Sequence, residues 1–422
     1  MIAFLKKNKV YLWIFFIICL AAYLRFYRLG QVYVFNFDEE YQATYAWTLV
    51  KHFHRIWIGV SSSFLDFYLG PYFTYFTSFL LRISKGDPML TAYFASFLGV
   101  VTTVVFFFTG WKIFNLTTGI VSSLLYATLP LFVFFDQKYW NTMFTPLITL
   151  LLFLTLNLVK KSAWFWVLFA GLFGVILETH LEPTPLLLIG FWYFVKGAYY
   201  KKTKIILVSL LVFALLYWPL AMFDYYHNFS NLTIFSRFGQ GVSESKVTFN
   251  PVSKFKTLFD TIGRYWYLKA GNPNADEINF GCTSLSVKPE LSFIDKYARR
   301  TYAAPFLSLI TVALLLYFLK ISFGKLPEQY KLLRIFLIVS VISFSLFPGG
   351  SSEYYALFFL VLFTFIPGIL ISKVVGNIRK VIFILLIVAV SVLGINTVLG
   401  TSDEFSLGPK KILIGKVMDV LG

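Results

Sequence analysis

The chain has 422 residues, of which 58% are hydrophobic, 20% aromatic and only 14% charged, with a mean hydropathy of +0.74. That balance excludes a soluble globular protein of this length and leaves a polytopic membrane protein. The formal net charge of +17 does not indicate nucleic acid, because Lys and Arg cluster in short stretches between apolar runs, as the cytoplasmic loops of a membrane protein require.

In chain order, Val10 to Tyr27 is apolar and long enough to span a bilayer, and Lys6, Lys7 and Lys9 ahead of it place its leading end in the cytoplasm. Arg25 and Arg28 close it without a small-residue cleavage site, so it reads as a retained anchor and not as a cleaved signal peptide. A window of roughly 20 residues yields about eleven spans in all. They fall near 9–28, 91–111, 117–135, 142–159, 164–180, 184–199, 205–223, 302–320, 332–348, 354–372 and 381–399. Lys112, Lys160 with Lys161, the Lys201 to Lys204 cluster, Lys320 to Arg334, and Lys373 to Lys380 then all share the side of the leading end. The opposite, outer side receives the acids near Asp38, the segments Asp136 to Asn141 and Glu178 to Pro183, the long stretch from Asp224 to Arg300, the turn Pro348 to Tyr355, and the tail. Cys19 lies in the first span and Cys282 in the long polar stretch, so neither a disulfide framework nor a cysteine metal site is expected.

Two apolar segments of the first outer loop do not read as spans. Glu39 to Trp57 carries Tyr45, Leu49, Phe53 and Trp57 at i, i+4 spacing with Lys51, His52, His54 and Arg55 elsewhere around the helix, which predicts an interfacial helix. Pro71 to Arg82, rich in Tyr and Phe, is also expected flat on the outer surface, because counting it as a span would reverse the charge pattern downstream.

Several ordered motifs carry a resemblance. Asp38-Glu39 follows the first span and precedes the interfacial helix, and Gly70-Pro71-Tyr72-Phe73-Thr74-Tyr75 comes next. Trp140-Asn141 stands ahead of Pro146-Leu147-Ile148, followed by Glu178-Thr179-His180, Tyr225-Tyr226-His227-Asn228-Phe229 and Glu353-Tyr354-Tyr355. In this order they resemble the GT-C superfamily of membrane glycosyltransferases, in particular the branch of the protein O-mannosyltransferases and lipid A aminoarabinose transferases. The family's Pro-Pro-Leu-Tyr-Tyr segment begins here with Gly70. Its Arg before the Trp is replaced by Gln137 and Lys138, its Gln-x-His by Glu178-Thr179-His180, and the Arg of its Arg-His-x-Phe stretch is missing.

The resemblance implies an all-α polytopic membrane protein with interfacial helices in the first outer loop. It also implies inverting transfer of a hexosyl or pentosyl unit from a polyprenyl-phosphate carrier to a glycan, lipid or protein acceptor on the extracytoplasmic face of the cell membrane. The organisation expected is an N-terminal transmembrane module (1–223) with a catalytic first outer loop (29–90), an extracytoplasmic loop or small cap (224–300), C-terminal transmembrane helices (301–400) and an outer tail (401–422). No cofactor beyond the lipid-linked donor is called for, and nothing in the sequence indicates a divalent metal.

Such a displacement needs a carboxylate to take the acceptor proton and a cation to meet the leaving phosphate. Asp38 is the expected base, Glu39 positions Asp38 or a nearby cation, and Lys138, helped by Gln137, faces the phosphate. His180, Arg237 and Tyr354 are further candidates for the donor, and Tyr72, Trp140, Asn141 and Glu178 for the acceptor or pocket. Plainer roles compete: Asp38 and Glu39 as first-turn acids meeting a helix dipole, Lys138 as a snorkelling interfacial lysine, His180 in a structural hydrogen bond, and Tyr354 in an aromatic belt. The rival functions are a lipid or sugar transporter, which needs ionisable groups near mid-span, and a polysaccharide polymerase or ligase using lipid-linked glycans, which the long outer segment keeps in view.

Overall fold

The computed structural model describes residues 9–35, 37–62, 67–233, 251–266, 277–279, 284–287, 303–324, 326–346, 353–374, 377–402, 407–408 and 411. The chain is a helical polytopic membrane protein, and among the described residues each stretch expected to cross the bilayer is mainly helical. The helices are unequal, however. Among the described residues six are long and apolar enough to cross, namely Met89–Phe114, Asn141–Leu158, Thr203–Tyr226, Glu328–Leu346, Tyr354–Lys373 and Ile378–Leu399, and a bent pair makes seven if it counts as one span. Val10–Phe26, Phe165–Thr179, Thr184–Lys196 and Phe306–Ser322 are shorter apolar helices. Length and composition therefore support six or seven spans where the hydropathy pattern gave about eleven.

The first elements are α1 (Lys9–Phe26), the short α2 (Leu29–Val32), α3 (Phe37–Lys51), α4 (Tyr72–Ile83) and α5 (Met89–Thr109). The expected span 117–135 is two helices, α6 (Leu116–Thr128) and α7 (Pro130–Gln137), bent by 62°. The cause is local. Pro130 has no N–H for a continuing helix and forces the residue before it out of the helical region, and Leu129 is extended at φ −68°, ψ 125°. Pro130 then occupies the first turn of α7, where its fixed φ suits a helix start.

Beyond the bend come α8 (Thr145–Leu158), α9 (Phe165–Thr179), α10 (Thr184–Lys196) and α11 (Thr203–Tyr226), and then α12 (Pro251–Arg264). The C-terminal part contains α13 (Ala303–Ser322), α14 (Glu328–Leu346), α15 (Leu357–Phe363), α16 (Phe365–Lys373) and α17 (Asn377–Gly400). Segment 224–300 thus contributes α12 and two short strands, β3 (Glu277–Asn279) and β4 (Ser284–Val287); β4 also pairs antiparallel with β5 (Thr401–Ser402), just after α17.

The interfacial helix expected over Glu39 to Trp57 is shorter than its apolar spacing suggested. α3 ends at Lys51, and Phe53 is 79% exposed. Its buried stripe is Glu39, Gln42, Ala46 and Leu49, turned onto α4. Past Lys51 the chain is held by tertiary contacts instead: the Ile56 N–H donates to the Tyr75 hydroxyl at 2.8 Å, and a hairpin of β1 (Ser61–Ser62) and β2 (Phe67–Tyr68) returns it to Gly70. α4 has 12 residues, too few to cross a bilayer.

Contacts divide the bundle into two rims. At one, the Gly70 N–H donates to the Leu177 carbonyl, Asn231 brackets the Tyr68 backbone, and the Leu407 N–H donates to the Tyr33 carbonyl. At the other, Lys160 pairs with Glu328, Arg334 donates to the Ser322 carbonyl, and the Asn115 amide donates to Ser372. The basic clusters thus stand at the rim opposite the acids near Asp38.

Between the rims, α1, α6 and α7 are locked by a buried ion pair. Arg25 Nε and Nη2 donate to Asp136 Oδ2 at 2.8 and 2.6 Å, its Nη atoms also reach the Ala127 and Tyr126 carbonyls, and the Tyr126 hydroxyl donates to Asp136 Oδ1 at 2.7 Å. Gly99 on α5 lets the pair sit flush, since a Cβ there would fall 2.5 Å from Asp136 Cγ. Asp136→Leu should leave the Arg25 charge buried and unpaired and destabilise the protein by about 3–5 kcal/mol. Thermal unfolding in detergent should show that loss, and the double change Arg25→Met, Asp136→Leu should recover most of it.

Candidate active site

The helical period of α3 divides its three leading acids. Asp38 and Glu40 are exposed, whereas Glu39, one position on, is 2% exposed and points into the bundle. There it meets Lys138, whose Nζ lies 3.1 Å from Glu39 Oε1 and whose side chain is 5% exposed. Lys138 follows directly on α7, so the break at Pro130 is what carries it to this rim. Burial pushes the Glu39 carboxyl above its ordinary range, and the neighbouring ammonium offsets only part of that. Lys138 also lies over the Trp140 ring, 4.5 Å from its centroid.

Asp38 opens onto a cavity of about 440 Å³. The size suits a sugar ring with room beside it. Tyr41 and Gln42 of α3, Val60, Ser61 and Leu69 of the hairpin region, and Phe73 of α4 form one wall; Tyr139, Trp140 and Asn141 form a second. His180, Leu181, Glu182 and Pro185 after α9, with Ser343, Phe344, Tyr354, Tyr355 and Phe358, complete it. An aromatic ladder crosses this space. Trp140 meets Tyr354 edge-on at 4.6 Å, Tyr354 lies 4.1 Å from Tyr355, and both tyrosine rings approach His180 at 6.3 and 6.1 Å. Among the described residues no three His, Cys, Asp or Glu side chains converge as a metal set.

Of the residues singled out in the sequence, Asp38, Trp140, Asn141, His180 and Tyr354 line the cavity, and Glu39 and Lys138 form the buried pair beside it. Gln137 is turned away: its amide donates to the Leu24 and Arg25 carbonyls at 3.2 and 3.1 Å, closing the end of α1. The Tyr72 hydroxyl reaches α11, donating to the Leu215 carbonyl at 3.0 Å and accepting from Trp218. Arg237 lies outside the described residues.

Glu178 caps α4 across space. Its Oε2 accepts from the Tyr72 N–H at 2.8 Å, satisfying one of the first-turn donors that a helix cannot pair internally. A Cβ at position 70 would fall 1.8 Å from Glu178 Oε1, so only glycine leaves room for the carboxylate. Gly70 and Glu178 are thus in direct contact at the start of α4.

Glu182 and Gln42 line the cavity without having stood out in the sequence. Glu182 Oε2 lies 3.6 Å from His180 Nδ1, and the Glu182 backbone N–H points to the same nitrogen at 3.4 Å, which favours a neutral ring protonated on Nε2. Burial acts on both groups in the uncharged direction, pulling the His180 pKa down to about 4 and raising Glu182 well above the usual carboxylate range. With a folded pKa near 4 against an ordinary 6.5, His180 contributes stability that is complete above about pH 6.5 and lost as pH falls toward 4. Relative to His180→Asn, the unaltered protein should therefore gain stability as pH rises from about 4 to 6.5, measured as the difference between their thermal unfolding midpoints.

No family model matches the chain, and neither does any curated protein sequence. Solved structures do. The oligosaccharyltransferase AglB from Archaeoglobus fulgidus, in complex with an inhibitory peptide and a dolichol-phosphate, superposes with a TM-score of 0.53 at 14% identity, covering 94% of this chain and 56% of its own. The apo form of the Archaeoglobus fulgidus oligosaccharyltransferase gives a TM-score of 0.56 at 14% identity, over 94% and 57% of the two chains. ArnT from Cupriavidus metallidurans, bound to undecaprenyl phosphate, gives 0.54 at 11% identity, over 94% and 76%. The chain spans just over half the length of the oligosaccharyltransferase it matches. At these identities the likeness is one of architecture. The chain shares the fold of AglB and ArnT.

Proposed function

We propose that this protein is a membrane glycosyltransferase that moves a sugar from a polyprenyl-phosphate carrier to a hydroxyl-bearing acceptor on the extracytoplasmic face. One observation carries the reading: an exposed carboxylate on the first turn of α3, Asp38, opens onto a sugar-sized cavity whose adjoining wall holds the buried Glu39–Lys138 pair. The fold shared with a structure bound to undecaprenyl phosphate supports a lipid-phosphate donor.

In this reaction the acceptor oxygen attacks the anomeric carbon from the face opposite the phosphate. The C1–O bond to the phosphate breaks, the configuration inverts, and polyprenyl phosphate leaves carrying the bonding electrons. Asp38 accepts the acceptor's proton, a role suited to a carboxylate in contact with water. Glu39 anchors the turn that carries Asp38 and holds Lys138 in place, and the Lys138 charge favours the phosphate as negative charge builds on it. A lysine serves as a point charge here, without the fork of an arginine. The extracytoplasmic assignment rests on the basic clusters of the opposite rim.

Transfer of label from undecaprenyl-phosphate sugars, with a membrane extract as the acceptor source, tests the role of Asp38. Asp38→Asn keeps the shape and the helix start but removes the base, and should lower turnover at least about 100-fold while donor binding persists. Near-normal transfer by a folded Asp38→Asn variant would return that residue to helix capping. Sidedness is tested separately, by adding an impermeant thiol reagent to intact cells in which Cys19 and Cys282 are replaced by serine and one cysteine is introduced. Ser61→Cys should react from outside and Lys112→Cys should not, and the reverse pattern would put the cavity in the cytoplasm.

A further inference from the structure

At the rim opposite the cavity, the turn after α8 and the turn between α10 and α11 carry Lys160, Lys161, Lys196, Lys201, Lys202 and Lys204, all exposed. Residues 157–164 and 192–204, which contain them, hold no acid. The two turns form one surface. The Tyr199 hydroxyl donates to the Val159 carbonyl at 3.2 Å, and the buried Trp166 ring packs against Phe194 and Tyr199 at 5.2 and 5.3 Å. Among the described residues this surface makes one ion pair, between Lys160 and Glu328 at the start of α14, so its charge is left strongly positive.

Aromatic rings organise these cations. Lys196 lies over the Trp192 ring at 4.6 Å and Lys202 over Tyr199 at 5.5 Å, while Lys204 of α11 reaches back over Trp164, just ahead of α9, at 5.8 Å. The two indoles are themselves open, Trp164 being 51% and Trp192 46% exposed, which is how tryptophans stand at the headgroup level of a bilayer. From Lys196 back along α10, Val195, Trp192, Phe191 and Leu188 form an exposed apolar stripe at helical spacing. Cations at the headgroup level and an apolar stripe leading away from them match the two ends of a lipid.

We propose that this surface is a binding site for an anionic phospholipid, with the headgroup phosphate held between Lys196 and Lys204 and an acyl chain lying along the α10 stripe. A lipid whose headgroup carries its own cation would gain less from the lysines than one with net negative charge. A soluble phosphate would use the lysines but leave the stripe unused, so the lipid is the better fit. None of these residues lines the cavity, and the inference stands apart from the transferase reading.

The test uses the full chain purified in neutral detergent and supplied with equal amounts of phosphatidylglycerol and phosphatidylcholine of matched acyl chains, the bound lipid being counted by native mass spectrometry. The unaltered protein should retain phosphatidylglycerol in preference. With about fivefold expected from each lysine near a membrane surface, the pair Lys196→Gln, Lys204→Gln should weaken phosphatidylglycerol binding about tenfold or more. The pair Lys196→Arg, Lys204→Arg keeps the charge and should retain the preference. Arg379→Gln with Lys380→Gln removes the same charge elsewhere on that rim and should leave binding unchanged. An equal loss in both glutamine pairs would reduce the surface to diffuse rim charge and overturn the assignment. So would a lack of preference in the unaltered protein, or displacement of the bound lipid by glycerol phosphate at the same concentration, which would make the site one for a soluble anion.

Discussion

The Glu39–Lys138 pair is the contact on which the geometry of the cavity depends. It joins α3 to the residue that emerges from the broken helix pair, two parts of the chain about a hundred residues apart, and it does so out of contact with water. An ion pair in such a place adds little net stability compared with an apolar contact, but removing one partner strands the other at a cost of about 3–5 kcal/mol. Its value is positional. With Glu39 held, the period of the helix leaves Asp38 facing the cavity.

Three further constraints build outward from that point. Pro130 ends one helix and starts another at 62°, bringing Lys138, Tyr139, Trp140 and Asn141 to the rim. The Arg25–Asp136–Tyr126 cluster fixes the same segment from behind. Glu178 caps α4 from α9 and so sets the wall containing Phe73. Each contact joins elements distant in sequence, which suits a cavity that must keep its shape where lipid and water meet.

Much of this was legible in the sequence. The class followed from composition, and Asp38 after the first apolar run, with Trp140, Asn141, His180 and Tyr354, does meet at one cavity. The bend departs from the single span expected over 117–135, although its cause, Pro130, stands inside that stretch. The extent of α3 was not legible, because its end at Lys51 is decided by the Ile56–Tyr75 contact and not by a local stop signal. Gln42 and Glu182 line the cavity but carry no pattern in the sequence. Gln137 beside Lys138 looked like a helper on sequence proximity, but the last turn of α7 points it at the carbonyls ending α1.

The most direct measurement follows the anomeric carbon through one turnover. Purified protein is given undecaprenyl phosphate carrying a sugar labelled with carbon-13 at C1, together with a membrane extract as acceptor source, and the products are read by NMR and by lipid analysis. A transferase with Asp38 as base releases undecaprenyl monophosphate and a glycosylated acceptor of inverted configuration. Retention of configuration, or labelled sugar moved across a vesicle membrane still attached to its carrier, would contradict it.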